Sequence, residues 1–306
     1  MLRRALRIAL ALLALLSVAV LGITAQKAWG IVHPHRKPVD RTPASVGLSD
    51  FETFDFLASD GNKDRGWYVP PTDGPGAGAV IVFVHGLGGN RANLLDNAAI
   101  LHRSGFGALL IDLRAHGESE GELASFGLNE VNDVRGALGW LKQRGDYRLG
   151  ILGQSMGAST TLMSAAALPE LSAVVEECGF TSMVDNIATG VQELAHLPPF
   201  PFAPLIVFWG ERLGHLDMDA VRPIDAAAKI APRPLLIVHG SEDRLVPIEN
   251  ARRMYEAAGE PKEIVVLEGV GHRNFVEPGG ARYAEAITDF FTRTLGAPAA
   301  ASPQPQ

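Results

Sequence analysis

Between residues 45 and 296, short β-branched runs alternate with longer stretches of helical period, and this rhythm leaves few folds open. Strand and helix in steady succession are the pattern of an α/β fold, a mostly parallel sheet with helices on both faces. Residues 79–84 are continuously apolar, as a strand buried on both faces must be. Further strands are expected over 107–111, 148–152, 173–175, 235–238 and 263–267, and helices over 90–103, 130–144, 156–168, 247–258 and 281–295. Residues 51–57 alternate, which predicts an antiparallel edge strand pairing with 66–69 across the turn Asp60-Gly61-Asn62. Glycine supplies 33 of 306 residues, in keeping with many tight strand-to-helix turns.

Composition excludes several functions. The 27 basic residues are outnumbered by 34 acidic ones, the net charge is −7, and no dense basic stripe marks the body, so nucleic-acid binding is set aside. A single cysteine, Cys178, can form neither an intrachain disulfide nor a zinc cluster. His33 and His35 lie in a basic Pro/Gly-containing stretch and read as solvated rather than metal-binding.

At the amino terminus Arg3, Arg4 and Arg7 precede an uncharged run over residues 8–26. As a helix rising about 1.5 Å per residue it reaches roughly 28 Å, enough to span a bilayer core. Residues 1–27 are therefore read as a membrane anchor, with the amino terminus in the cytoplasm and the body outside. A cleaved signal is the alternative, with Ile23-Thr24-Ala25 as its cut site. No cysteine follows the run, so a lipoprotein is excluded. Residues 28–44 read as a linker and 297–306, mostly Ala, Pro and Gln, as a disordered tail.

The chemistry is concentrated after the strands. Gly153-Gln154-Ser155-Met156-Gly157 stands between a strand and a helical pattern, the setting that G-x-S-x-G requires. A sharp turn there exposes the Ser155 hydroxyl, and the helix N-terminus aims its free N–H groups at a reacting carbonyl. Such a nucleophile needs a base and the base an orienting acid, in the chain order Ser, Asp or Glu, His. Asp243 in Gly240-Ser241-Glu242-Asp243 follows the strand at 235–238 and is the candidate acid. Glu242 beside it, and Glu176 and Glu177 after an earlier strand, are alternatives. His272 in Gly269-Val270-Gly271-His272 follows the last strand and is the candidate base. His85-Gly86-Leu87-Gly88-Gly89-Asn90 follows the strand at 79–84, where an oxyanion-binding turn belongs, and the Leu87 and Met156 amides are the candidate donors. His85 and the loop 112–119 are read as structural.

Together these motifs make residues 45–296 resemble an α/β-hydrolase. Within that superfamily the chain is similar to a serine-aminopeptidase-like group with membrane-tethered members, which carry H-G-x-x-G-N-R as His85 to Arg91 do here. The resemblance implies a serine hydrolase that cleaves an ester or thioester by acyl transfer, with a serine peptidase as the alternative. It implies a small-molecule or acylated substrate, and no cofactor or metal. Residues 181–233 break the strand-helix rhythm and are expected to form a lid. Phe202 and Phe208, in its Pro/aromatic run, are the candidate substrate-binding side chains.

Overall fold

The computed structural model describes residues 2–272 and 275–296; the tail at 297–306 lies outside them. One sheet contains β1 (Glu52–Leu57), β2 (Lys63–Val69), β3 (Ala79–Val84), β4 (Gly107–Ile111), β5 (Arg148–Gln154), β6 (Leu171–Glu177), β7 (Leu235–Gly240) and β8 (Lys262–Leu267). Their spatial order is β1-β2-β4-β3-β5-β6-β7-β8. The first two strands run antiparallel to their neighbours and the rest are parallel, as the alternation predicts.

Alternate residues of β3 supply two cores. Val80, Val82 and Val84 face one core and Ala79, Ile81 and Phe83 the other. The first core is covered by α3 (Glu130–Lys142), α4 (Met156–Ala167) and α8 (Glu249–Ala257), the second by α2 (Leu95–His102) and α9 (Val276–Leu295). Two of the boundaries that differ from those read in the sequence have a clear local reason. The helix expected from residue 90 begins with a 3₁₀ turn, where Asn90 accepts from the Ala92 amide and Asn93 accepts from the Asn90 amide. β6 continues through Glu176 and Glu177 because their backbones pair with both neighbours, although their side chains argue against a buried strand.

Between β6 and β7 lie α5 (Met183–Glu193), α6 (Pro199–Gly214) and α7 (Pro223–Ala227). The amino-terminal helix α1 (Leu2–Val32) is long and apolar enough to cross a membrane. It continues into the stretch read as a linker, and Thr24, Ala28 and Val32, four residues apart on one face, are buried. The Ala124 amide donates to the Val32 carbonyl at 2.9 Å, fixing the end of the helix. Beyond it, Arg36 donates to the carbonyls of His116, Gly117 and Gly121, and the Asn90 side chain donates to that of Pro38. The segment is therefore laid along the body by hydrogen bonds that its polar composition does not reveal.

Candidate active site

Ser155 sits between β5 and α4 at φ +57 and ψ −117, a conformation costly for a residue with a Cβ. The flanking glycines let the chain close around it. A Cβ on Gly153 would lie 2.2 Å from the Gly157 carbonyl oxygen, and one on Gly157 would lie 2.0 Å from that of Val84. The turn thus demands glycine at both positions for packing, and presents the serine at the carboxyl edge of the sheet.

The three candidate triad side chains come together there. The Ser155 hydroxyl lies 2.9 Å from His272 Nε2, and His272 Nδ1 lies 2.7 Å from Asp243 Oδ2. Asp243 is buried, and its Oδ1 accepts the Leu245 and Val246 amides at 2.9 and 2.8 Å. A carboxylate so held accepts a hydrogen bond from Nδ1–H, leaving Nε2 with a lone pair toward the serine. The two alternative acids on β6 point elsewhere. Glu177 accepts from Tyr283 and from Gln154, and Glu176 accepts the Gly179 amide. Burial pushes both glutamates up to about 8, so near neutrality they are largely protonated.

The turn at 85–91 is pinned from several sides. The Leu113 amide donates to His85 Nε2, so the ring proton resides on Nδ1, which donates to the Gly86 carbonyl at 2.8 Å. Burial holds His85 neutral, with its pKa lowered to about 4. Arg91 is buried against Asp112 and reaches Glu118, while its amide donates to Asp112 Oδ1 at 2.6 Å. Neither the Leu87 nor the Met156 amide has an acceptor among the described residues.

A cavity of about 880 Å³ opens over Ser155 and His272. Its apolar walls include Phe126, Phe180, Met183, Ile187, Val191 and Phe202. Phe208 does not line it. That residue is 43% exposed and carries the Arg212 guanidinium on its ring, because at 100° per residue it lies about 120° around α6 from Phe202. The α5 contribution went unread in the sequence, although Met183, Ile187 and Val191 repeat every four residues and form an apolar stripe.

Among the described residues, two groups have spacing compatible with a metal ion. Cys178, Asp243 and His272 are one, but the last two are already hydrogen-bonded to each other in line with Ser155, and burial pushes the Cys178 thiol up, away from the thiolate a metal needs. Glu211, Asp217 and Asp219 are the other, mostly exposed, with Asp217 already capping a short helix.

Residues 81–286 match the model of the Alpha/beta hydrolase family, and the chain belongs to that family. Among its relatives is the uncharacterized protein YqkD of Bacillus subtilis (strain 168), 28% identical over 297 residues that cover 90% of this chain and 96% of that one. The uncharacterized protein Rv2307c of Mycobacterium tuberculosis (strain H37Rv) is 32% identical over 238 residues, 77% of each chain. Among solved structures, the Pyrococcus furiosus esterase PF2001 has the same fold, with a TM-score of 0.73 at 22% identity over 87% of this chain and 99% of that one.

Proposed function

We propose that this protein is a membrane-anchored serine hydrolase that cleaves an acyl ester or thioester through Ser155, His272 and Asp243. The observation that carries the reading is the continuous relay from the Ser155 hydroxyl through both His272 nitrogens to Asp243. In the first step His272 Nε2 takes the hydroxyl proton as Ser155 Oγ bonds to the acyl carbon. The carbonyl oxygen becomes an oxyanion and accepts from the Leu87 and Met156 amides. The intermediate collapses, the alcohol or thiol leaves with the proton from His272, and an acyl-serine remains. Water then gives a proton to His272 and attacks the acyl carbon; release of the acid returns the proton to Ser155. Asp243 holds Nδ1–H by its hydrogen bond and keeps the imidazole in the required tautomer.

An apolar cavity suits an acyl chain better than a charged aminoacyl group, which favours esterase over peptidase chemistry. Retention of α1 as an anchor is supported by the buried face Thr24, Ala28 and Val32: cleavage after Ala25 would strip Thr24 from this packing. The orientation proposed has the amino terminus cytoplasmic and the body outside.

A fluorophosphonate probe tests the reading, together with acyl esters of rising length and matched aminoacyl amides. Wild type should be labelled and should turn over esters faster than amides. Ser155→Ala should keep the fold, lose labelling, and retain only the residual ~10³–10⁴-fold over water that the oxyanion donors and binding supply. Labelling that persists in Ser155→Ala overturns the assignment, and faster amide turnover favours the peptidase.

A further inference from the structure

The cavity over Ser155 has a wall that the catalytic domain does not provide. Ile23, Thr24, Lys27 and Ile31 of α1 line it beside Phe202 and Ile206 of α6. These α1 positions share one side of the helix, next to the stripe Thr24, Ala28 and Val32 buried against the body. The approach is close: a Cβ on Gly214, at the end of α6, would lie 3.0 Å from Val32 Cγ1. Helix α1 is continuous from Leu2 to Val32, so the spanning part and the lining part form one rod.

The position of the lining residues along that rod sets the depth of the cavity. The uncharged run ends at Gln26, and Lys27 is the first charge beyond it, at the level where a lysine reaches the headgroups. Residues 23–31 straddle this boundary, and Ile31 stands only about 7 Å beyond Gln26 at 1.5 Å per residue. The side of the cavity built by α1 therefore lies at the membrane surface, within one or two helical turns of the acyl region. Ile23 is both exposed and part of the lining, so apolar surface runs from the spanning face of the helix into the cavity.

Building on the hydrolase reading above, we infer that α1 is a substrate-binding wall as well as an anchor, and that the acyl chain enters along it from the bilayer. The substrate class is then an acyl ester dissolved in the membrane rather than one captured from water. The selectivity for chain length resides partly in Ile23 and Ile31.

The test uses the full-length protein in phosphatidylcholine vesicles with the acetate and palmitate esters of methylumbelliferone. Ile23→Trp and Ile31→Trp push bulk into the cavity, and the palmitate-to-acetate ratio of kcat/KM should drop about tenfold for every two methylenes excluded. Leu16→Trp, on the lipid-facing part of α1, serves as the control and should leave the ratio at its wild-type value. Palmitate ester carried in the same vesicles as the protein should be cleaved at least tenfold faster than ester in separate vesicles. An unchanged ratio in both tryptophan variants, or equal rates from the two vesicle arrangements, overturns the inference. So does recovery of a mature chain that begins near Gln26. If wild type cleaves neither ester and resists fluorophosphonate, the hydrolase reading itself falls, and this inference with it.

Discussion

Exchanging one oxygen of Asp243 for an amide nitrogen separates the proposed acid from its rivals. In Asp243→Asn the remaining oxygen can still accept the Leu245 and Val246 amides, now at 2.9 and 2.8 Å, so the loop keeps its hydrogen bonds. The new amide nitrogen then faces His272 Nδ1 at the present 2.7 Å position and can only donate. The imidazole must answer with a lone pair on Nδ1, which moves its proton to Nε2 and leaves no base for Ser155. Loss of the correct tautomer costs about 10⁴-fold in kcat in triads of this kind, or ~5.5 kcal/mol of barrier. Stability should fall by only about 1 kcal/mol, because the burial and the backbone contacts are retained. Glu177→Gln is the matched control: Tyr283 can still donate to the side-chain oxygen, and turnover should change less than fivefold, on the order of 1 kcal/mol. Turnover of a short acyl ester, read beside the melting temperature of each variant, decides between the two carboxyls. Asp243→Asn activity within tenfold of wild type, with a thousandfold loss in Glu177→Gln, would refute the argument and move the acid to β6.

Other outcomes follow from particular contacts. Gly157→Ala sets a Cβ 2.0 Å from the Val84 carbonyl oxygen, which backbone must relieve; a loss of about 1–3 kcal/mol is expected, seen as a lower melting temperature with slower fluorophosphonate labelling. Phe202→Ala should flatten the dependence of kcat/KM on acyl length, whereas Phe208→Ala, outside the cavity, should preserve it; identical effects in a chain-length series would contradict the cavity described. Glu176 and Glu177 have folded-state pKa values raised from 4.5 to about 8 by burial. The folded state therefore holds protons that the unfolded chain has lost, so their contribution is full below about pH 4.5 and disappears as pH rises through 8. Chemical denaturation should accordingly show the Glu176→Gln/Glu177→Gln variant losing less stability than wild type between pH 6.5 and 8.5. Buried His85, lowered to about 4, acts in the opposite sense but only between about pH 4 and 6.5, below that window.

The parts visible in the sequence are those whose signal is local. An apolar run such as Ala79–Val84 needs no partner to be read as a buried strand, and a glycine-flanked serine between strand and helix carries its own geometric demand. The candidate acid and histidine positions follow because each lies just past a recognisable strand, though only the structure shows that Asp243 faces His272 while Glu177 turns to Tyr283 and Gln154. Phase was harder to read. In the Pro/aromatic run, Phe202 and Phe208 look equivalent until α6 is set in register, with Phe200 in an extended conformation before the regular helix. In α1 the uniformly apolar run conceals which side packs, because Thr24, Ala28 and Val32 stand out only once α6 lies beside them. Its cavity-lining role required a contact between segments nearly two hundred residues apart, which no local period encodes.

The same logic explains why so many residues around the His85 turn are buried and polar when only one of its amides is proposed to touch the substrate. The Gly86 carbonyl accepts from His85 Nδ1 at 2.8 Å and from the Gly89 amide at 3.0 Å. Two donors fix the plane of the peptide joining Gly86 to Leu87, and in a trans peptide the N–H points opposite the carbonyl. The direction of the Leu87 N–H is thus set by bonds made on the far side of the peptide. Gly86 also brings that peptide against the proposed nucleophile, since a Cβ there would lie 3.3 Å from Ser155 Cβ. His85 can perform this function only while neutral with its proton on Nδ1, and the Leu113 amide at Nε2 together with burial enforces that state. Arg91, held by Asp112 and Glu118, closes the other end of the turn. A donor whose orientation is fixed before substrate arrives needs no reorganisation when charge develops on the carbonyl oxygen, and that preorganisation is the contribution of the H-G-x-x-G-N-R motif to the proposed reaction.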